Sequence, residues 1–245
     1  MAELTEIKTY DISQAQCGQD GRLKPESLLD LFQQTTISCS AEKGVGNDFM
    51  VGIRRGWALV KYDINAARWP QAGETVTVRT APVGRRWMLV FRQFELMDAG
   101  GEIIAAADSC WMVLDLDARK PTDMPKHLAQ VYGFDAIANK VLRFDTIGPL
   151  RQAQHEKKYE VAPKDIDGYG HVNNTVYIAW AMGALPDMEK DGRAIRRLKC
   201  TFKREALLGM TVSARASSYG ELTHCEIKGE DGETLFSMVL EWTEE

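Results

Sequence analysis

Two carboxylates, a histidine and two asparagines lie close together in the second half of the chain, in the stretch DIDGYGHVNN (165–174). Asp165, Asp167 and His171 bring charge to the point where an apolar, helix-like run begins. A protonated imidazole is disfavoured near the positive end of a helix, so we expect His171 to be neutral and able to accept a proton. The free backbone N–H groups of a helix start can stabilise a developing negative oxygen, as in acyl transfer. The stretch therefore has the residue types of an acyl-transfer site.

The same stretch also fits an ordinary polar helix cap. Asn173 or Asn174 is a good N-cap, because a short side-chain oxygen can accept from backbone N–H groups that a helix start leaves unpaired. One aspartate is likewise stabilised by the helix dipole without any catalytic role. From the residues alone, a catalytic loop and a structural loop both remain open.

The elements that must position this loop follow an internal repeat. The alternating strand pattern GETVTVRT (73–80) is echoed by GMTVSARA (209–216), each opened by a glycine. Downstream, the polar turns DAGGE (98–102) and GEDGE (229–233) each lead into a long strand pattern. The repeat predicts two similar units in one chain.

Each unit also contains a predicted helix, followed by a further strand. The helices are predicted in PESLLDLFQQTTISCSAEKG (25–44) and NNTVYIAWAMGAL (173–185), and the strands over 57–69 and 195–207. Each half thus reads as a helix and then several antiparallel strands, an α+β arrangement in which a curved sheet wraps a mostly buried helix. A duplicated unit can also pair its exposed sheet edge within the chain.

The two units are separated by a stretch without sustained periodicity, DARKPTDMPKHLAQVYGFDAIANK (117–140). Its prolines and glycine are typical of a crossover linker rather than of a third domain. We predict an N-terminal domain over 1–125, a linker over 126–150 and a C-terminal domain over 151–245.

Composition narrows the class of protein. Of the 245 residues, 44% are hydrophobic and 27% charged, which is typical of a folded globular chain. The formal net charge of -5 argues against sequence-independent nucleic-acid binding. Neither a secretory leader nor a membrane helix is predicted. The five cysteines are odd in number and form no C-x-x-C pair, so neither disulfides nor a metal site is expected, and a reducing cytoplasm fits best.

The string D-x-D-x-x-x-H-V-N-N followed by an apolar helix resembles the acyl-acyl carrier protein (ACP) thioesterases of the bacterial type. Members of that family carry a D-x-N-x-H-V-N-N loop in the second of two tandem hotdog domains. They also carry a catalytic glutamate in a later basic segment, and FKREALLG places Glu205 34 residues after His171. The resemblance implies hydrolysis of fatty acyl-ACP to free fatty acid without a cofactor. It implies that Asp167, His171 and Glu205 are the catalytic residues.

Two positions depart from the family pattern. Tyr169 stands where the family has an asparagine, and a hydroxyl cannot copy an amide that offers donor and acceptor together. Ala206 stands where many plant members have a cysteine after the glutamate, so we expect water to be the nucleophile. Glu205 and His171 would take its proton while Asp167 orients His171 or the water. Tyr169, Asn173 and Asn174 would contact the substrate, with backbone N–H groups near the two asparagines receiving the carbonyl oxygen.

The resemblance further implies an acyl pocket in the first domain, walled by residues such as Trp57 and Leu59 or by the central helix of that domain. Carrier proteins present an acidic helix, so basic residues near Glu205 are docking candidates: Arg196, Arg197, Lys203 and Arg204. Alternatives are an acyl-coenzyme A thioesterase, a hotdog hydratase and a non-catalytic acyl-binding protein, because one fold hosts several functions. A monomer and a homodimer both remain open.

Overall fold

The computed structural model describes residues 5–168, 170–186 and 192–243. Both halves contain a strand, a helix and four further strands in that order, and the first half adds two short helices and a short strand. The first half contains β1 (Glu6–Asp11), α1 (Pro25–Glu42), α2 (Asn47–Gly52), β2 (Arg55–Ala66), β3 (Thr75–Arg86), β4 (Leu89–Met97), β5 (Ile103–Asp115), β6 (Lys120–Thr122) and α3 (Lys126–Val131). The second half contains β7 (His155–Glu160), α4 (Asn174–Met182), β8 (Ile195–Phe202), β9 (Thr211–Tyr219), β10 (Leu222–Lys228) and β11 (Thr234–Trp242).

The strands of both halves form one continuous antiparallel sheet. Its order is β1-β3-β4-β5-β2-β8-β11-β10-β9-β7, with β6 added to β5. Read outward from the junction of β2 and β8, the strands of the second half follow in the same order as the corresponding strands of the first half. The halves meet where β2 pairs with β8, in a register from Lys61 opposite Thr201 to Asn65 opposite Arg197. The prediction that a duplicated unit pairs its own sheet edge is confirmed.

The predicted order of elements was incomplete in one respect, because each helix is preceded by a strand. β1 pairs with β3 and β7 pairs with β9, so both strands lie at the ends of the sheet. Their sequences, EIKTYD and HEKKYE, are rich in charged residues, which are exposed along most of β7 but in β1 include Glu6, buried and paired with Arg92 and Lys43. Such polar edge strands lack the apolar alternation that marks a strand in a sequence.

Each sheet half wraps one helix. α1 begins with Pro25 at its first position and buries Leu28 and Phe32 completely. It packs on β1, β3 and α4, and α4 packs on β9, β10 and β11. Phe32 belongs to the same hydrophobic cluster as Ile178 of α4 and Phe236 of β11, so the main core is shared by the two halves.

A smaller apolar cluster lies beside α1 in the first half. It joins Val45 and Met50 to Leu128 of α3, Tyr132 and Phe134. Residues 126–134, which the sequence assigned to the linker, are therefore packed on the first half. The short helix was missed because six residues are too few to show a helical period.

All five cysteines are buried and unpaired. Burial raises the pKa of the Cys39, Cys200 and Cys225 thiols to about 12, so these side chains remain protonated near neutral pH. Within the described ranges, every helix falls short of the length and apolarity that a bilayer-spanning segment requires.

Candidate active site

The loop before α4 is a tight, hydrogen-bonded turn. Ile166 and Val172 form an isolated antiparallel bridge, and the N–H of Asp167 donates to the carbonyl oxygen of His171 at 2.7 Å. The Asp167 carboxylate accepts from the backbone N–H of His171 at 3.1 Å. Asp167 thus fixes the main chain that carries the histidine. Asp165 is buried and accepts from the N–H of Ala162 at 2.9 Å, so its role is to shape the turn.

The asparagine that follows is the helix cap. The Asn173 side-chain oxygen accepts from the backbone N–H of Thr175 at 3.0 Å, which confirms one of the two predicted caps. The Asn173 N–H itself donates to the Asp165 carbonyl oxygen at 2.9 Å. Of the two backbone N–H groups expected to receive the substrate oxygen, that of Asn173 is therefore occupied. The N–H of Asn174 has no partner among the residues described.

Glu205 lies just beyond β8, in a loop whose backbone is hydrogen-bonded before and after the glutamate. The N–H groups of Lys203 and Arg204 donate to the carbonyl oxygen of Leu235 at 2.8 and 3.2 Å. The N–H of Ala206 donates to the Tyr177 hydroxyl at 2.7 Å. Tyr177 is part of α4, and burial raises its pKa to about 12, so the phenol stays neutral. Helix α4 therefore holds the glutamate loop as well as the histidine loop.

His171 and Glu205, distant in the sequence, meet in space. The imidazole Nε2 lies 3.1 Å from Glu205 Oε2, and both side chains are partly open to solvent. The other carboxylate oxygen, Oε1, accepts from Arg119 Nε at 3.0 Å and also from Arg119 Nη2. Glu205 is thus held between a histidine of its own half and an arginine of the first half.

Arg119 lies at the tip of the turn between β5 and β6. Its φ of 51° is unusual for a residue with a side chain. Asp115 stabilises the turn by accepting from the N–H groups of Asp117 and Ala118 at 3.0 and 2.8 Å. A backbone held in this conformation is a feature found at functional sites.

A cavity of about 230 Å³ opens beside the histidine loop. Most of its lining comes from the first half, and the second half contributes Asp167, Gly168, Asn173 and Asn174. Trp57 lines it as expected, whereas Leu59 is buried in the main core and is not among the lining residues described. Neither His171 nor Glu205 is among those residues. Leu59 lies two residues beyond Trp57 on the same face of β2, and the expectation for Leu59 was wrong because that face passes from the cavity to the main core within about 7 Å.

The basic residues proposed for docking do not form one patch. Lys203 and Arg204 are exposed next to Glu205, and Arg204 pairs with Asp231 at 3.0 Å. Arg196 and Arg197 lie at the opposite end of β8, an eight-residue strand of roughly 25 Å. The sequence order misled here, because neighbours along an extended strand are far apart in space.

Arg197 also has a structural partner. Its guanidinium donates to both Asp63 oxygens, at 2.8 and 2.6 Å, across the β2–β8 junction. This contact with Asp63 raises the pKa of the Arg197 side chain, so its charge is fixed. Arg196, which is largely exposed, pairs with Glu241 at 3.3 Å.

Tyr169, predicted to contact the substrate, lies outside the described residues. Two residues of the site were missed by sequence analysis. Arg119 is 86 positions from Glu205 and comes from the other half, so no spacing rule connects them. Tyr177 lies within the predicted helix, where an aromatic residue indicates only a buried face.

The fold and the site together define a tandem hotdog protein with a histidine–glutamate pair beside a buried cavity. Solved structures share this fold over nearly the whole chain. The 12:0-ACP thioesterase from Umbellularia californica has a TM-score of 0.88 and 20% identity, covering 99% of this chain and 98% of that chain. An acyl-ACP thioesterase from Bacteroides thetaiotaomicron has a TM-score of 0.82 and 20% identity, covering 98% of each. The predicted α+β hotdog fold is confirmed.

Family comparison gives the same result. Residues 3–132 match the acyl-ACP thioesterase N-terminal domain, and residues 149–244 match the C-terminal domain. The chain belongs to the acyl-ACP thioesterase family, as its motifs suggested. It is 24% identical over 260 residues to the acyl-[acyl-carrier-protein] hydrolase FATB2, chloroplastic, of Cuphea viscosissima, covering 96% of this chain and 61% of that protein. The chain spans about half to two thirds of the length of the first curated relatives.

Proposed function

We propose that this chain hydrolyses the thioester of fatty acyl-ACP to release a free fatty acid and the carrier thiol. The observation that carries the proposal is the 3.1 Å contact between His171 Nε2 and Glu205 Oε2 beside a cavity lined by Asp167, Asn173 and Asn174. Family membership and the names of the relatives support the same reaction.

In the proposed mechanism, water is the nucleophile. The Glu205–His171 pair takes a proton from this water as its oxygen attacks the thioester carbon. The carbonyl oxygen becomes an oxyanion, and the Asn174 N–H at the start of α4 is placed to donate to it. The intermediate then collapses, the carbon–sulfur bond breaks, and the proton held by the pair passes to the leaving thiolate. Asp167 contributes by fixing the backbone of His171.

The two halves have different roles in this proposal. A first domain over 1–125 supplies most of the acyl pocket, to which Tyr132 and Phe134 of the joining segment 126–150 also contribute, and a second domain over 151–245 carries Asp167, His171 and Glu205. The cavity lining supports this division, since it comes mainly from the first half. Arg119 of the first domain contacts Glu205 of the second, so the first domain also helps to position the glutamate.

The proposed partner is ACP, whose acidic surface would meet the exposed basic pair Lys203 and Arg204 beside Glu205. Charge attraction of this kind weakens as salt is added, so KM for acyl-ACP should rise with ionic strength. A reducing compartment such as the cytoplasm fits five unpaired cysteines.

The decisive experiment compares wild type with Glu205→Ala on acyl-ACP thioesters of several chain lengths. Loss of the base should lower kcat by about 10²–10⁴-fold. Glu221→Ala, at an exposed glutamate in the turn between β9 and β10, is the matched control and should retain full activity. A decrease of only twofold for Glu205→Ala in a folded variant would remove this residue from the mechanism.

The same assay separates the other candidate functions. Thiol release from acyl-coenzyme A but not from matched acyl-ACP would identify a coenzyme A thioesterase. Addition of water to an enoyl chain without thiol release would identify a hydratase. Tight acyl binding without turnover would identify a binding protein.

A further inference from the structure

The face of α1 that lines the cavity is unusually polar for the wall of a hydrocarbon pocket. Gln33, Thr36 and Ser40 all line it, at helical positions i, i+3 and i+7. These residues span about 10 Å along the helix axis. Polar atoms therefore follow the cavity over a distance that several carbons of an acyl chain would occupy.

Two of these three residues are satisfied within the protein. The Thr36 hydroxyl donates to the Phe32 carbonyl oxygen at 3.1 Å, and the Ser40 hydroxyl lies 2.8 Å from the Tyr132 hydroxyl. Gln33 differs, because its Nε2 is buried and has no hydrogen-bond partner among the described residues. Leaving a buried donor unpaired is unfavourable, and a plain hydrocarbon against Gln33 would do so.

Arg92 of β4 gives a second, independent indication. It lines the same cavity although only 5% of it is exposed to solvent. Its Nη1 donates to Glu6 Oε2 at 3.1 Å and to Thr80 Oγ1 at 3.2 Å. Nothing in the described part of the chain accepts from Nε or Nη2. A guanidinium that lines a cavity with donors to spare is stabilised by an oxygen acceptor there.

The charges around Arg92 do not cancel. Glu6, its carboxylate partner, is shared with Lys43, so among these described side chains two cations face one anion. The surplus positive charge favours an electron-rich oxygen in the cavity over a hydrocarbon.

From these contacts we infer that the cavity takes an acyl chain bearing a hydroxyl or carbonyl oxygen, held by Gln33 and Arg92, in preference to an unsubstituted chain. The inference rests on the proposed thioesterase function and specifies its substrate class. Both oxygen types fit, because the donors of Gln33 and Arg92 require only an acceptor, which a hydroxyl and a carbonyl both provide.

The test compares hydrolysis of ACP thioesters of equal chain length that carry no oxygen, a hydroxyl or an oxo group at successive carbons. We expect kcat/KM for the best oxygenated chain to exceed that of the plain chain at least about tenfold, because a site built for a polar group rejects the analogue lacking it. Gln33→Leu should reduce this preference severalfold, measured as the ratio of kcat/KM for the oxygenated and the plain chain. Leucine suits a helix, so the variant should fold.

Gln34→Leu provides the matched control. Gln34 is exposed on the same helix, where its Nε2 donates to Asp30 Oδ2 at 2.6 Å, and it is absent from the cavity lining. The same substitution there should leave the preference unchanged.

The possible failures are distinguishable. Equal rates on both chain types, or faster hydrolysis of the plain chain, would overturn the inference while leaving the thioesterase function standing. An oxygen preference that survives Gln33→Leu undiminished would also overturn it. Absence of hydrolysis of every thioester would overturn the proposed function and this inference together.

Discussion

Replacing Arg119 by leucine removes the cation that the first half places against Glu205. The contact joins Arg119 Nε and Nη2 to Glu205 Oε1 and leaves Oε2 for His171. If Arg119 positions the glutamate, its loss should lower kcat, leave KM nearly unchanged and hardly affect stability.

The size of each effect follows from the exposure of the pair. The side chains of Arg119 and Glu205 are 52% and 36% exposed, and open ion pairs of this kind contribute about 0.2–1 kcal/mol to the free energy of unfolding. Freeing a glutamate side chain releases rotamer entropy of up to about 1.5–2 kcal/mol. Because the Glu205 side chain would have to be ordered again at each turnover, kcat should fall by about tenfold or somewhat more.

The assay follows thiol release at saturating and limiting acyl-ACP, with unfolding in urea measured on the same samples. Arg119→Lys should recover part of kcat, because an ammonium can contact Oε1 but lacks the guanidinium fork. Arg54→Leu is the matched control, since Arg54 is 59% exposed, pairs with Asp117 of the same turn and has no contact with Glu205. Its activity should equal that of the wild type.

Three results would refute this reasoning. An unchanged kcat for Arg119→Leu would show that Glu205 needs no support. A rise in KM alone would indicate a docking role. A loss of more than about 2 kcal/mol of stability would show that the contact is structural, beyond what an exposed pair contributes.

Three further predictions concern stability and pH. Asn173→Ala should lower the free energy of unfolding by about 0.5–2 kcal/mol through loss of the α4 cap, as measured by urea denaturation, and no change would contradict the cap. Arg197→Leu should lower the free energy of unfolding by about 1.5–3 kcal/mol, because it leaves Asp63 unpaired at the β2–β8 junction, while kcat stays near the wild-type value. A large loss of kcat in the folded variant would contradict a structural role for Arg197. Burial lowers the pKa of His224, and the nearby Glu226 opposes this effect. The unfolded chain therefore binds a proton at His224 more tightly than the folded protein does. As a result, the free energy of unfolding falls as the pH drops below about 6.5. His224→Asn should lose less stability than wild type between about pH 7 and pH 5, and equal losses would exclude His224 as the cause.

Much of the fold could be read from the sequence because its signals are local. The helical spacing of 25–44 and the glycine-led alternation of 73–80 and 209–216 each describe one element, and each formed where expected. The edge strands β1 and β7 could not be predicted, because their charged residues, exposed in β7 and including the buried, ion-paired Glu6 in β1, give no apolar core pattern.

The site was predictable where a motif carried it and unpredictable where only the fold did. Asp167, His171 and Glu205 were predicted from the family motif and its spacing, and the fold brings the last two together. Arg119 approaches Glu205 only because the two halves of the sheet join at β2 and β8, so its role depends on a tertiary contact. Leu59 and Arg197 were misjudged for a related reason, since the position of a residue along its strand decides what it contacts.

The junction of β2 with β8 has a consequence for any attempt to divide the protein. Each of these strands is an interior member of a long sheet, and each would become a bare edge if its neighbour were removed. Unpaired N–H and C=O groups along such an edge readily recruit another strand. Either half produced separately should therefore self-associate through that edge, so attempts to obtain an isolated hotdog unit should first mask it with charge or proline.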